Sequence, residues 1–274
     1  MTTLYLETAS LTSTAEQAVQ VAAKTWFAVA VVGHWIFLAY ILAVFYPPIA
    51  ERGLAGLEGM HLPTGFREGD TLGNLMSVSH VLLAAIIIGG GPLQLIPAVR
   101  KRFPTFHRWL GRSYLVAAVL SSIGGLYLTW ARQSPTGNLV SHLGISGDAI
   151  LVLVFAAVAV RHAIARQIVE HRRWALRLFM VASAVWFFRV GLMGWFVLTG
   201  GIGIDQETFT GPFLNALGFA QYLLPLAMLE WYFQCQRTAS PGSQLAFVAT
   251  LALLTLYTAL GIFAATAGLW APLM

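Results

Sequence analysis

The feature that most constrains this chain is the recurrence of apolar runs, each long enough to cross a bilayer and separated from the next by a short polar segment. A hydrocarbon core about 30 Å thick needs about 20 apolar residues of helix, at a rise of about 1.5 Å per residue. Seven runs meet that requirement, over 24–46, 75–98, 108–130, 147–166, 174–199, 212–235 and 245–271. No water is available inside a bilayer to bond exposed backbone, so runs of this kind must be helices. A hydrophobic share of 58% against 10% charged residues excludes an ordinary soluble domain. The expected fold is therefore all-α: a polytopic membrane helix bundle of about seven transmembrane helices. It forms a single domain over 24–274, preceded by a cytoplasmic N-terminal segment, 1–23. Residues 13–24 read as a surface helix leading into the first span. The first 22 residues lack a basic n-region and a cleavage site, so no signal peptide is expected.

Charge sets the expected orientation, because basic loops are retained in the cytoplasm. Arg52, Arg67 and Arg132 fall at one face and Arg189 inside a span, while the other twelve of the sixteen basic residues collect at the opposite face. The N-terminus is expected inside and the C-terminus outside. Basic loops facing anionic lipid account for the pI of 9.7 without a nucleic-acid partner. The single cysteine, Cys235, excludes an intramolecular disulfide and a cysteine-cluster metal site, and no metal site is assigned. It reads as a buried small residue at a helix end.

Two segments break the simple pattern. The outer loop from Pro47 to Asn74 is long for a connection between spans, and reads either as a cap over a site or as a mobile surface segment. In "IIIGGGPLQLIP", Ile86 to Pro97, three glycines and two prolines fall within one span, where a helix is expected to bend or to lose backbone hydrogen bonds.

Ionisable residues at span boundaries supply the candidate site. "TFHRWLGRSYLVAAVL", from Thr105, and "VEHRRWALRLFMVASA", from Val169, each set a histidine beside arginine and tryptophan, add an arginine about a turn later, and then turn apolar. Arg108, Arg172 and Arg173 suit snorkelling to headgroups, and Arg112 and Arg177, about one turn deeper, still reach the interface. Trp109 and Trp174 suit an interfacial aromatic belt. That explanation leaves His107 and His171, which start two helices at similar depth. Two axial haem ligands or two partners of a proton relay require such placement, and loop caps or lipid-phosphate contacts also fit it.

His80 and Arg189 lie within spans. An arginine at the bilayer centre costs about 2.5–3.5 kcal/mol on insertion scales, so Arg189 should face the interior with a partner. His80, Ala84, Gly91 and Gln94 fall near one helical stripe, as on a tightly packed internal face. His34, mid-span, reads as one end of an interhelical hydrogen bond, while His61, His142 and His162 fall in loops or at helix ends. Asp148 near the outer interface and Glu230 near the inner one offer no intramembrane carboxylate pair of the kind a cation pump would use. A nucleotide-binding glycine loop, a zinc-protease helix and a serine nucleophile elbow are all missing.

The stretch from "SHVLLAAIIIGGGPLQLIPAVRKRFPTFHRWLGRSYLVAAVLSSIGGLYL" to "HRRWALRLFMVASAVWFFRV" resembles the bacterial predicted-membrane-protein family called domain of unknown function 2306. The resemblance rests on His80, Gly91, Pro92, Gln94, Arg100, His107, Arg108, Gly111, Arg112, Tyr114, the pair Gly124–Gly125, His171, Arg172, Arg173, Trp174, Arg177 and Arg189. It covers a core of about 75–190 and implies a multi-pass protein of the bacterial inner membrane, with no established reaction.

Two readings of the function follow. In one, the protein is a non-catalytic membrane component, either an accessory or assembly subunit or a small-molecule permease, with a polar intramembrane site. In the other it is a redox protein binding haem b or a quinone. His80, His107, His171, Arg112, Arg177, Arg189 and Gln94 are the candidate binding residues for either. The expected partners are membrane lipids and a larger membrane complex or a second copy of the chain.

Overall fold

The structure, a computed structural model, describes residues 2–60, 65–132, 137–237 and 239–274, with side chains from Thr14 onward. The chain is helical almost throughout. In order come α1 (Thr2–Val44), α2 (Tyr46–Arg52), a 3₁₀ turn (Gly53–Leu57), α3 (Thr71–Leu95), α4 (Pro97–Arg102), α5 (Pro104–Trp130) and α6 (Leu139–Ile164). Then follow α7 (Ile168–Ala182), α8 (Ala184–Thr199), α9 (Pro212–Cys235) and α10 (Pro241–Ala265), ending in short turns that carry Trp270. Six of the described helices are long and apolar enough to cross a membrane, and the bent pair α7–α8 brings the number to seven where it is counted as one span. Six of the seven expected spans are single helices of this kind, and the fifth coincides with the bent pair.

Local chemistry sets the helix ends beyond the apolar runs. The Asp70 carboxylate caps α3 by accepting from the Gly73 N–H at 2.8 Å, and the Asn138 side chain caps α6 from Ser141 at 3.0 Å. Each cap starts its helix several residues before the hydrophobic run does. Prolines at the first turns of α4, α5, α9 and α10 sit where their missing N–H costs nothing.

The N-terminal segment differs from expectation. Residues 13–24 continue α1 without a break, and Ala15 and Val19 are buried, Val19 in a cluster with Cys235, Phe247 and Leu251. Their spacing carries the apolar face of the first span backward onto α9 and α10. Cys235 is buried there as a small core residue.

The glycine-rich part of α3 also differs from a simple break. The helix runs on past Pro92 to Leu95, and only at Ile96, in extended conformation, does it give way to α4. A Cβ on Gly91 would press on Phe179 and Tyr114 at 3.1–3.2 Å, so the missing side chain brings α3 against α5 and α7. The fifth span, by contrast, is broken where its sequence holds neither glycine nor proline. α7 and α8 meet at Ser183 with a bend of 49°. Buried His34 of α1 donates from Nδ1 to the Ala30 carbonyl at 2.7 Å, and its Nε2 accepts from the Ser183 hydroxyl at 3.1 Å. Phe179 and Trp186 flank the ring. His34 is thus a structural fastener of the bend, with both nitrogens occupied.

At the end opposite the basic loops, Arg132 is buried and ties three segments together. It pairs with Asp70 at 2.9 Å, donates to the Gly73 carbonyl, the Ser77 hydroxyl and the Asn74 side chain, and its own carbonyl accepts from Arg67 at 2.8 Å. Part of the described Pro47–Asn74 loop packs on the bundle, although much of it is exposed. Leu57 is buried in the core, and the Tyr46 hydroxyl donates to the Leu82 carbonyl at 2.9 Å. His61 lies outside the described residues.

Candidate functional site

Beyond the Arg132 cluster and the His34–Ser183 pair, three places in the bundle bear on function. The first is a layer inside the membrane. His80 lies nine residues past Thr71, the start of α3, and Asp148 nine residues past Leu139, the start of the parallel helix α6, a depth of about 14 Å. Both line a cavity of about 120 Å³ with Ser121 and Ser122 of α5. The His80 ring rests beside Gly125, where a Cβ would stand 3.7 Å from its Cε1, and Nδ1 donates to the Ser121 carbonyl at 3.2 Å. Asp148 Oδ1 and Ser121 Oγ are buried with no hydrogen-bond partner among the described residues. The Tyr222 hydroxyl closes against α6 at Gly147, 2.8 Å from where a Cβ would be.

Asp148 therefore does not sit near the outer interface. Its helix begins eight residues before the apolar run from which its depth was judged, and the Asn138 cap is the signal that marks this. Arg189 belongs to the same layer, close enough to His80 for their charges to interact. It is half-buried, donates to the Val185 carbonyl at 3.1 Å, and lies over the Phe37 ring at 5.1 Å. No carboxylate reaches it among the described residues. Helix carbonyl and aromatic face are its partners.

The second place is the basic end. The Gln94 amide donates to the His107 carbonyl at 3.1 Å and packs on Gly111, and His171 donates from Nδ1 to the Ala159 carbonyl at 2.9 Å. His107 and His171 lie within electrostatic range of each other, and His107 Nδ1 is buried without a partner among the described residues. Gln94 thus ties α3 to α5 at His107, while His171 ties α7 to α6. Arg112 does not join them: it is exposed, over the Trp109 ring at 5.0 Å. Arg177 is more than an interface anchor. Its guanidinium makes a two-point bond to Glu230 of α9, at 2.6 and 2.9 Å, between the rings of Trp174 and Phe233. Two opposite charges near one end of apolar spans were the available signal for this pair.

The third place carries no feature that stands out in the sequence. α1, α7, α8, α9 and α10, with Leu95 of α3 and Pro97 of α4, line a half-open cavity of about 920 Å³. Its walls on α9 run from Phe213 to Gln236, a rise of about 35 Å, comparable to the thickness of a bilayer core. Its lining is mostly apolar and aromatic, with Gln20, Lys24, Arg172 and Gln236 at the basic end. None of His34, His80, His107 or His171 lines it.

Six to seven apolar spans with buried polar residues between them define a polytopic α-helical membrane protein. Residues 77–209 match the family described as predicted membrane protein, DUF2306, so that just under half of the chain is similar to that family. The match takes in all seven candidate binding residues and the helices from α3 to α8. Neither a curated protein nor a solved structure matches the chain.

Proposed function

We propose that the protein is a non-catalytic component of the bacterial cytoplasmic membrane that takes up an elongated, membrane-soluble small molecule, as a permease or carrier does. The observation that carries this reading is the 920 Å³ cavity between α1, α7–α8, α9 and α10. Ligand sites commonly measure about 300–1,000 Å³ and are largely apolar with a few polar groups, which is the composition of this lining. Its length along α9 suits a molecule that lies along the membrane normal. The asymmetry of basic residues supports a cytoplasmic position for the end that bears Lys24 and Arg172.

The haem form of the redox reading gains little from the geometry, because neither described cavity includes His107 or His171 and only the small one includes His80. The test is extraction of the purified protein and mass spectrometry of what co-purifies, beside an Ala220→Trp variant whose indole fills the cavity. A species held in stoichiometric amount by the wild type and lost from Ala220→Trp is the expected result. Identical extracts from the two proteins would remove the reading, and a reduced haem spectrum from the wild type would favour the redox alternative.

A further inference from the structure

We propose that this cavity selects an acidic amphiphile, with its anionic head at Lys24 and Arg172 and its chain along α9; the proposal rests on the cavity being the ligand site. Lys24 and Arg172 are the only charged residues of the lining, both are cations, and both stand at the same mouth beside Gln20 and Gln236. The nearby acids are already engaged. Glu170 pairs with Arg173 at 2.7 Å, and Glu230 holds Arg177 through both oxygens. Among the described residues neither Lys24 nor Arg172 has an ion-pair partner.

The two cations come from different helices, α1 and α7, and the charge of Arg172 extends to Tyr232 on α9. Lys24, Arg172 and Tyr232 all line the same cavity. Lys24 and Arg172 are exposed at this mouth, where a headgroup at the bilayer surface can reach both, and an anion there meets two positive groups. Below it, the lining from Phe27 and Leu176 to Leu198 and Phe213 offers no charge to a chain. An acidic headgroup above a long hydrocarbon chain satisfies both ends, and the surrounding bilayer is its source. A zwitterionic head brings its own cation along with its phosphate and so offers the pair less net negative charge.

The test is native mass spectrometry of the full chain offered phosphatidylglycerol and phosphatidylcholine with identical acyl chains. The expected result is a preference of about tenfold for phosphatidylglycerol in the wild type, the size of one charge-assisted hydrogen bond. The Lys24→Gln/Arg172→Gln protein should bind both lipids alike, while Arg102→Gln, which alters an exposed basic residue outside the lining, should keep the preference. Thermal unfolding of each variant checks that the bundle is intact. Equal binding of the two lipids by wild type, an unchanged preference in the double variant, or an equal loss in Arg102→Gln would overturn the headgroup assignment. Ala220→Trp separates the two levels. If it excludes both lipids while the wild type fails to discriminate, the cavity stands and the charge selection falls; if it binds both as the wild type does, the cavity reading itself falls.

Discussion

His80 and Asp148 stand level in the bundle, on the parallel helices α3 and α6, and line the same small cavity. Ser121 completes the relationship by taking the His80 N–H on its carbonyl while its own hydroxyl stays unpartnered among the described residues. His80, Asp148, Ser121 and Ser122 form a polar patch in a lining that is otherwise apolar, with Ala182 and Val185 on the α7–α8 side.

The unpartnered Asp148 oxygen carries a cost of about 1–3 kcal/mol, and a cavity of this polarity and volume suits ordered water. Asp148→Leu should therefore unfold in detergent at a temperature equal to or above that of the wild type. A high-resolution map should show water between Asp148 Oδ1 and Ser121 Oγ. A large drop in the melting temperature would mean that Asp148 has a structural partner.

The two-point bond from Arg177 to Glu230 joins α7 to α9. Because the Glu230 side chain is 46% exposed, the pair is worth less than a fully buried one, and Glu230→Gln should cost about 1 kcal/mol. A double-mutant cycle with Arg177→Gln measures the coupling by thermal unfolding. Additive losses would show that the two side chains do not act together.

Arg189 has a carbonyl and an aromatic ring as partners, and no carboxylate among the described residues. Removing it leaves no buried countercharge behind. Arg189→Ala should cost about 1–2 kcal/mol, below the roughly 3–5 kcal/mol of a broken buried ion pair. Arg102→Ala should be silent. A loss from Arg189→Ala in the ion-pair range would reveal a charged partner in the membrane-bound state.

A Cβ on Gly261 would meet the Val190 carbonyl oxygen, so α10 and α8 touch through backbone at that point. Gly261→Leu should force the helices apart and cost at least about 1–3 kcal/mol. Reduced yield of folded protein and a lower melting temperature are the readouts. A wild-type melting curve would show that the two helices can separate freely.

The basic asymmetry predicts the side from which each end is reached. In spheroplasts, a membrane-impermeant thiol reagent should modify Glu58→Cys and spare Thr105→Cys, with buried Cys235 as the internal control. The reverse pattern would invert the proposed orientation.

The six helices long enough to span were legible in the chain because burial in lipid demands about 20 apolar residues in a row, a requirement that any one segment meets alone. The stripe on α3 was legible for a similar reason, since helical periodicity puts His80, Gly91 and Gln94 on the side where α5 supplies Ser121, Tyr114 and His107. Helix ends were less legible. The caps at Asp70 and Asn138 extend α3 and α6 beyond their apolar runs, which is why Asp148 reads as an interface residue in the sequence and lies well inside the bundle in the fold. The bend at Ser183 depends on a hydrogen bond from a residue 149 positions away, and no local pattern encodes such a partner. The large cavity is the extreme case. Its walls come from α1 and from α7 to α10, and each lining residue is an unremarkable apolar position on its own helix. Composition and periodicity decide that a helix enters the bilayer; the space left between helices depends on how their side chains meet, and only the tertiary packing decides that.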